Sequence, residues 1–267
     1  MLRNLFLKSL RDQRWAVFFW GLGVAVVAAF YISFYPTMRS MGGLQELMDS
    51  LPKALRDILS NAGFVDISTP SGFLALEIFS FIIPGMLVAM AVTQASGAVA
   101  GEEERGTLDF LLSLPITRLR VIVEKFATLL ASTAAVAALA WIGVSVSAPF
   151  ADMDISPWAV GQLSVSLWLL SLVFGSLALA VGSVLGGRGR SAGIAGAAAV
   201  AAYIVNILAP SVEALNLVRP FSPFYYFTPA STLDNGLDWA HAGVLGMVTL
   251  VFLLVAIAGF RARDIRT

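Results

Sequence analysis

Residues 101–120 read GEEERGTLDFLLSLPITRLR. Long apolar stretches flank this segment on both sides, so it forms a polar interruption between two candidate membrane spans. After Gly106, Thr107 is placed to cap a short helix. Leu108, Leu111 and Leu112 then fall on one face, with Phe110 and Leu114 beside it. Pro115 stops the helix, because its ring removes an N–H and clashes with the preceding turn. A helix of about two turns neither spans a bilayer nor stands alone in water. Its leucine face therefore needs a groove, in the bilayer interface or on another protein. Glu102, Glu103 and Glu104 stand just ahead of the helix start, where negative charge favours the helix dipole. Arg118 and Arg120 follow at the entry to the next apolar stretch.

The flanking stretches set the class. The chain is 58 % hydrophobic and only 13 % charged, far from the composition of a soluble domain. A bilayer core takes roughly 20 mostly apolar residues per helix. Six segments meet that length: Trp15–Tyr35, Phe73–Val99, Val121–Ser147, Val160–Leu185, Ser191–Ala209 and Ala242–Phe260. The expected fold is all-α and integral to the membrane, one transmembrane domain over 1–267. Residues 36–72 and 210–241 are its two long outer connections. The first has helical spacing over Leu44–Leu59, and the second is rich in proline and aromatic residues. Ahead of the first span, Leu2, Leu5, Phe6 and Leu10 share one helical face and Arg3, Arg11 and Arg14 the other. Residues 1–14 thus read as an amphipathic helix at the interface. The first apolar segment is longer than the core of a signal peptide, so it reads as an uncleaved span.

Charge placement orients the spans. Thirteen of the 17 Lys and Arg residues fall on one side: those before the first span, those at 105–125, Arg188, Arg190, and Arg261, Arg263 and Arg266. Arg39, Lys53, Arg56 and Arg219 fall on the other. The positive-inside bias places both termini in the cytoplasm of a cell inner or plasma membrane. Net charge is zero, which leaves no bulk attraction to nucleic acid.

Catalytic chemistry has little to work with. There is no cysteine and a single histidine, His241, which excludes thiolate sites and any site needing two histidine ligands. No G-x-x-x-x-G-K-[ST] loop is present to cradle a nucleotide. Gly187–Ala192 matches G-x-G-x-x-A but lies between two spans, without the strand and sheet such a loop requires. Glu102–Arg105 has the wrong spacing for an E-E-x-x-x-R intramembrane protease, and no histidine follows to complete one. Two spans carry one-faced stripes at three-to-four-residue spacing. These are Glu77, Ser80, Pro84, Ala91 and Gln94 in the second, and Ala192, Gly196, Ala199, Tyr203, Asn206 and Pro210 in the fifth. Such stripes suit tight helix packing or a polar path. Gln94, Tyr203 and Asn206 are the candidate residues of a translocation path or dimer interface.

The segment at 101–120 resembles a motif of the ABC-2 type permease family of ATP-driven transporters. The pattern is G-E-x-E-R-G-T-L-[DE]-x-L-L-x-x-P-[IV]-[TS]-R with a Lys at the start of the next span. Gly101, Glu102, Glu104, Arg105, Gly106, Thr107, Leu108, Asp109, Leu111, Leu112, Pro115, Thr117, Arg118 and Lys125 sit at matching positions. Six spans, an amphipathic entry helix and Arg219–Phe227 before the last span also match. Permeases of drug and antibiotic efflux and the copper-related NosY type look similar. The resemblance implies that two permease copies, or a copy and a paralogue, pair above a separate ABC ATPase dimer. Residues 100–120 would then hold a coupling helix that docks on the ATPase through Glu102, Glu104–Leu108, Phe110–Leu112, Pro115 and Arg118. The chain itself implies no cofactor and no enzyme activity. ATP and Mg belong to the partner, and membrane lipid surrounds the spans. The implied function is export of a hydrophobic or amphipathic small molecule, such as a drug or antibiotic. The alternative is a membrane anchor or assembly protein that recruits a cytosolic partner without transport.

Overall fold

The computed structural model describes residues 5–40, 69–104, 106 and 117–262. Among them every regular element is helical. Five helices are long and apolar enough to cross a membrane. We label α1 (Leu5–Ile32), α3 (Arg118–Ser147), α4 (Pro157–Leu185), α5 (Arg188–Leu208) and α6 (Trp239–Ala262). Between α1 and α3 lies α2 (Ile82–Ala98), which passes the same test only jointly with Pro70–Ile78, at a bend of 44°. The ends of α3 to α6 lie within a turn of the sequence expectation.

Two expectations are modified. The segment at Leu5–Arg14 is no separate element, because α1 runs without a break from Leu5 to Ile32, about 42 Å of helix. The expected span Phe73–Val99 is interrupted. Thr69 caps its start by accepting a hydrogen bond from Gly72 N (3.1 Å), and Leu74–Ile78 winds as a π-helix. The α-helix restarts only at Ile82. Pro84 explains the gap: a continuous helix would need its N–H to bond Ser80 O, and proline has none. The expected helix at Leu44–Leu59 lies outside the described residues.

Helix α4 is the hub, with 72 % of its most apolar 18-residue window buried. α2, α3, α5 and α6 pack around it, and α1 lies along α3. Three buried serines on α4 bond their own helix: Ser164 to Val160 O (2.9 Å), Ser171 to Trp168 O (2.7 Å) and Ser176 to Val173 O (2.9 Å). They thereby satisfy their hydroxyls without a partner helix. Small residues set the closest approaches. A Cβ on Gly143 would stand 2.9 Å from Ala25 Cα, so only glycine lets α3 meet α1 there. Large apolar side chains such as Phe19 and Phe30 on α1 and Met247 and Leu254 on α6 face outward, as a lipid-facing surface requires.

Lys8, Lys125 and Arg188 come together at one end of the bundle. There Phe6 N donates to Glu124 Oε2 (3.0 Å) and Arg118 Nη1 to Phe260 O (3.2 Å), so the first turns of α1, the start of α3 and the end of α6 meet. The described chain thus begins and ends on the same face.

Candidate coupling and translocation sites

The acidic cluster lies at that basic end. Beyond α2 the chain makes a short helix, Ala100–Glu104, which Gly106 closes at φ +67° by donating its N–H to Glu103 O (2.9 Å). Glycine suits that left-handed position because it has no Cβ to clash. Glu102 turns inward and pairs with Lys125 Nζ of α3 at 2.5 Å. Lys125 is only 7 % exposed, and its ammonium also reaches Ser9 Oγ of α1 at 3.4 Å. An ammonium this deep needs a counter-charge, and Glu102 is placed to supply it. Glu104 Oε1 accepts the backbone N–H of Arg188 (2.7 Å), the first residue of α5. It therefore satisfies one of the orphan donors of that helix and complements its dipole. Two glutamates of one turn thus tie the segment to α3 and α5, with α1 joined through Ser9.

Thr117 caps α3 by accepting from Arg120 N (3.3 Å). Arg118 lies over the Phe260 ring, 5.9 Å from its centroid, besides bonding the Phe260 carbonyl. A cation at the last carbonyls of α6 opposes the negative end of that helix dipole. Arg105, Thr107, Leu108, Phe110, Leu111, Leu112 and Pro115 lie outside the described residues.

Between α1, α2 and α5 runs an apolar groove of about 760 Å³, open to the side and lined by Trp20, Met86, Val92, Gly196, Ala199 and Tyr203 among others. The fifth-span stripe faces it, as Ala192, Gly196, Ala199 and Tyr203 all line it. The second-span stripe points elsewhere. Pro84 and Ala91 are buried in the bundle, and a Cβ on Gly175 of α4 would come within 3.1 Å of Ala91 Cβ. The face of α2 that meets the groove is set by Gly85, Met86, Ala89 and Val92.

The three candidate path residues occupy three levels. Tyr203 lies between Phe81, tilted at 5.1 Å between centroids, and Phe224, edge-to-face at 5.3 Å, and Phe224 also meets Phe174 (5.5 Å). These rings close the groove at the end away from the basic cluster. Asn206, one turn further along α5, accepts from Arg219 Nε (3.3 Å), and Ser222 Oγ donates to Ala202 O (2.8 Å). These bonds fasten the Pro/aromatic connection onto α5. Gln94 lies toward the basic end, where its Oε1 accepts from Ser132 Oγ (2.6 Å). Gln94 lines a second, polar chamber of about 370 Å³ with Lys8, Asp12, Gln13, Glu102, Lys125 and Arg188. Trp20 and Thr93 line both spaces, so groove and chamber are contiguous.

The sequence reading missed the roles of Lys125 and Arg188. The signal was present for the first: a lysine at the start of an apolar span must find a counter-charge, and Glu102 lies nearby in the chain. For the second there was none, because Arg188 meets Glu104 across 84 residues.

The described residues include no cluster of His, Cys, Asp or Glu suited to a metal ion. No curated protein matches the chain. A family model described as ABC-2 family transporter protein matches residues 3–265. With that match over nearly its whole length, the chain belongs to the ABC-2 transporter family and is a multi-pass transmembrane component of an ABC transporter, a family that in general works with an ABC ATPase.

Proposed function

We propose that this chain is the permease of an exporter for a hydrophobic or amphipathic compound, drugs and antibiotics included, and that it works as a pair of copies on an ATPase dimer. The bent pair Pro70–Ile78 and Ile82–Ala98 counts as the second of six spans, and the lysine- and arginine-rich end is cytoplasmic. The compound moves along the groove between α1, α2 and α5. The coupling helix expected within residues 100–120 docks on the ATPase through Leu108, Leu111 and Leu112.

The observation that carries this reading is the double attachment of Ala100–Glu104. Glu102 holds it to Lys125 on α3, and Glu104 holds it to the start of α5. A displacement of the adjoining loop by an ATPase is thereby passed to the helices beside the groove. Glu102 and Glu104 act inside the permease as the attachment, and the leucine face acts outside it as the docking surface.

Leu111→Asp or Leu112→Asp tests the docking assignment. Each is expected to abolish co-purification of the ATPase while membrane insertion is unchanged; full recovery of the ATPase overturns the assignment. Transport itself is tested by ATP hydrolysis of the purified complex, which is expected to respond to the transported compound. Intact docking with ATP hydrolysis indifferent to any amphipathic compound favours the anchor reading instead.

A further inference from the structure

A small void lies where α1 and α2 approach α3 and α4, with about 10 Å³ of room for the centre of a water molecule. Gln13 of α1, Gln94 of α2, Lys125 and Thr128 of α3 and Leu179 of α4 line it. Gln13 and Gln94 each keep one buried polar atom without a hydrogen bond, Gln13 Oε1 and Gln94 Nε2. The two carboxamides therefore do not bond each other. A buried polar group left unsatisfied is unfavourable, and the same space adjoins both. The other two polar residues of the void have capacity to spare. An ammonium carries three donors. Lys125 gives one to Glu102 (2.5 Å) and one to Ser9 (3.4 Å), which leaves the third. Thr128 Oγ1 donates its proton to Glu124 O (2.8 Å), which leaves its lone pairs to accept.

The void thus meets two donors, on Gln94 and Lys125, and two acceptors, on Gln13 and Thr128. A water molecule accepts twice and donates twice. Size agrees with chemistry, because a water needs roughly 10–15 Å³ of such room and two to four polar partners. A larger ligand needs more space. We infer that a single water is bound here as part of the fold, accepting from Gln94 and Lys125 and donating to Gln13 and Thr128. Because water both donates and accepts, the match holds for either orientation of the Gln94 carboxamide. The site has an entry route, since Gln13, Gln94 and Lys125 also line the polar chamber. Its consequence reaches the acidic cluster. Lys125 holds Glu102 with one N–H and the water with another, so the attachment of Ala100–Glu104 to α3 extends through the water to α1 and α2. None of the four polar residues lines the apolar groove, so the site is independent of what the groove carries.

Leu129 and Leu179 supply the readout. Both line the void, yet they are only 4 % and 1 % exposed, so bulk solvent does not reach them. The full-length chain in phosphatidylcholine nanodiscs is given a brief X-ray pulse, which converts bound water to hydroxyl radicals that label the side chains beside it. Mass spectrometry then maps the labels. Leu129 and Leu179 are expected to be labelled. Leu167, buried on α4 but outside the void, is expected to stay unlabelled. Gln13→Met keeps the bulk and removes one acceptor, and is expected to cut both labels about fivefold, as the loss of one hydrogen bond provides. Should that variant fail to fold, Thr128→Val removes the other acceptor and carries the same expectation. Unlabelled Leu129 and Leu179 would mean a dry void and overturn the inference. Equal labelling of all three leucines overturns it as well, because water would then penetrate the bundle at large. Labels undiminished in a folded variant also overturn it, since the water would then owe nothing to these partners.

Discussion

At the scale of single residues, the basic end depends on one buried charge. Lys125 is 7 % exposed, and Glu102 is the carboxylate beside it. Glu102→Gln leaves that ammonium uncompensated and is expected to cost about 3 kcal/mol. Adding Lys125→Met to it should recover most of the loss, since an apolar pair of similar volume does as well in such a site. Thermal unfolding of the two single variants and the double variant in detergent measures the coupling; strictly additive effects would show that the two do not interact. At the opposite end, the backbone N–H groups of His241 and Ala240 hold the Asp238 carboxyl below the usual carboxylate range. Its folded pKa is depressed, so its contribution is present above the unfolded value and is lost as pH falls through the folded one. Asp238→Ala is therefore expected to lower the unfolding temperature at neutral pH and to leave it unchanged at a pH below both values. A deficit that persists in acid would point to lost packing instead.

At the scale of elements, the break before α2 has a named cause. Pro84 cannot donate to Ser80 O, and the 44° bend follows at that gap. Pro84→Ala restores the donor and is expected to straighten the pair, lengthening the separation of spin labels placed on Pro70–Phe73 and near Ala98. An unchanged separation would assign the bend to packing by Phe79 and Phe81. This element also shows what a sequence conceals. Hydropathy marks Phe73–Val99 as apolar throughout, and hydropathy is blind to where a helix changes its winding. Which face of α2 meets the groove was hidden as well. Ala91 packs toward Gly175 on α4, and that neighbour is known only once α4 lies beside it.

At the scale of the whole molecule, orientation is open to a direct test, because the chain contains no cysteine. Ser50→Cys, in the connection proposed to lie outside, is expected to react with an impermeant maleimide in intact cells, and Thr267→Cys only after permeabilisation. The reverse pattern would invert the molecule, and equal labelling would break the odd-even alternation of spans. An exporter with an inward-facing polar chamber requires the first pattern, since Lys8, Glu102 and Arg188 must then face the cytosol.

Five long apolar helices and the basic residues beside their ends were legible in the sequence alone, and the docking motif is legible there as an expectation. Each is a local property: an apolar run long enough for the bilayer, a lysine or arginine beside its end, a proline after a leucine face. The partners of the motif's own glutamates were decided by the tertiary structure. Glu102 finds Lys125 across 23 residues and Glu104 finds Arg188 across 84. Pairing at such separation depends on which helix ends are packed together, and α4 at the centre decides that. The stretch GEEERGTLDFLLSLPITRLR announces a short helix in search of a groove; only the packed bundle turns Glu102 and Glu104 into the attachment that holds α3 and α5.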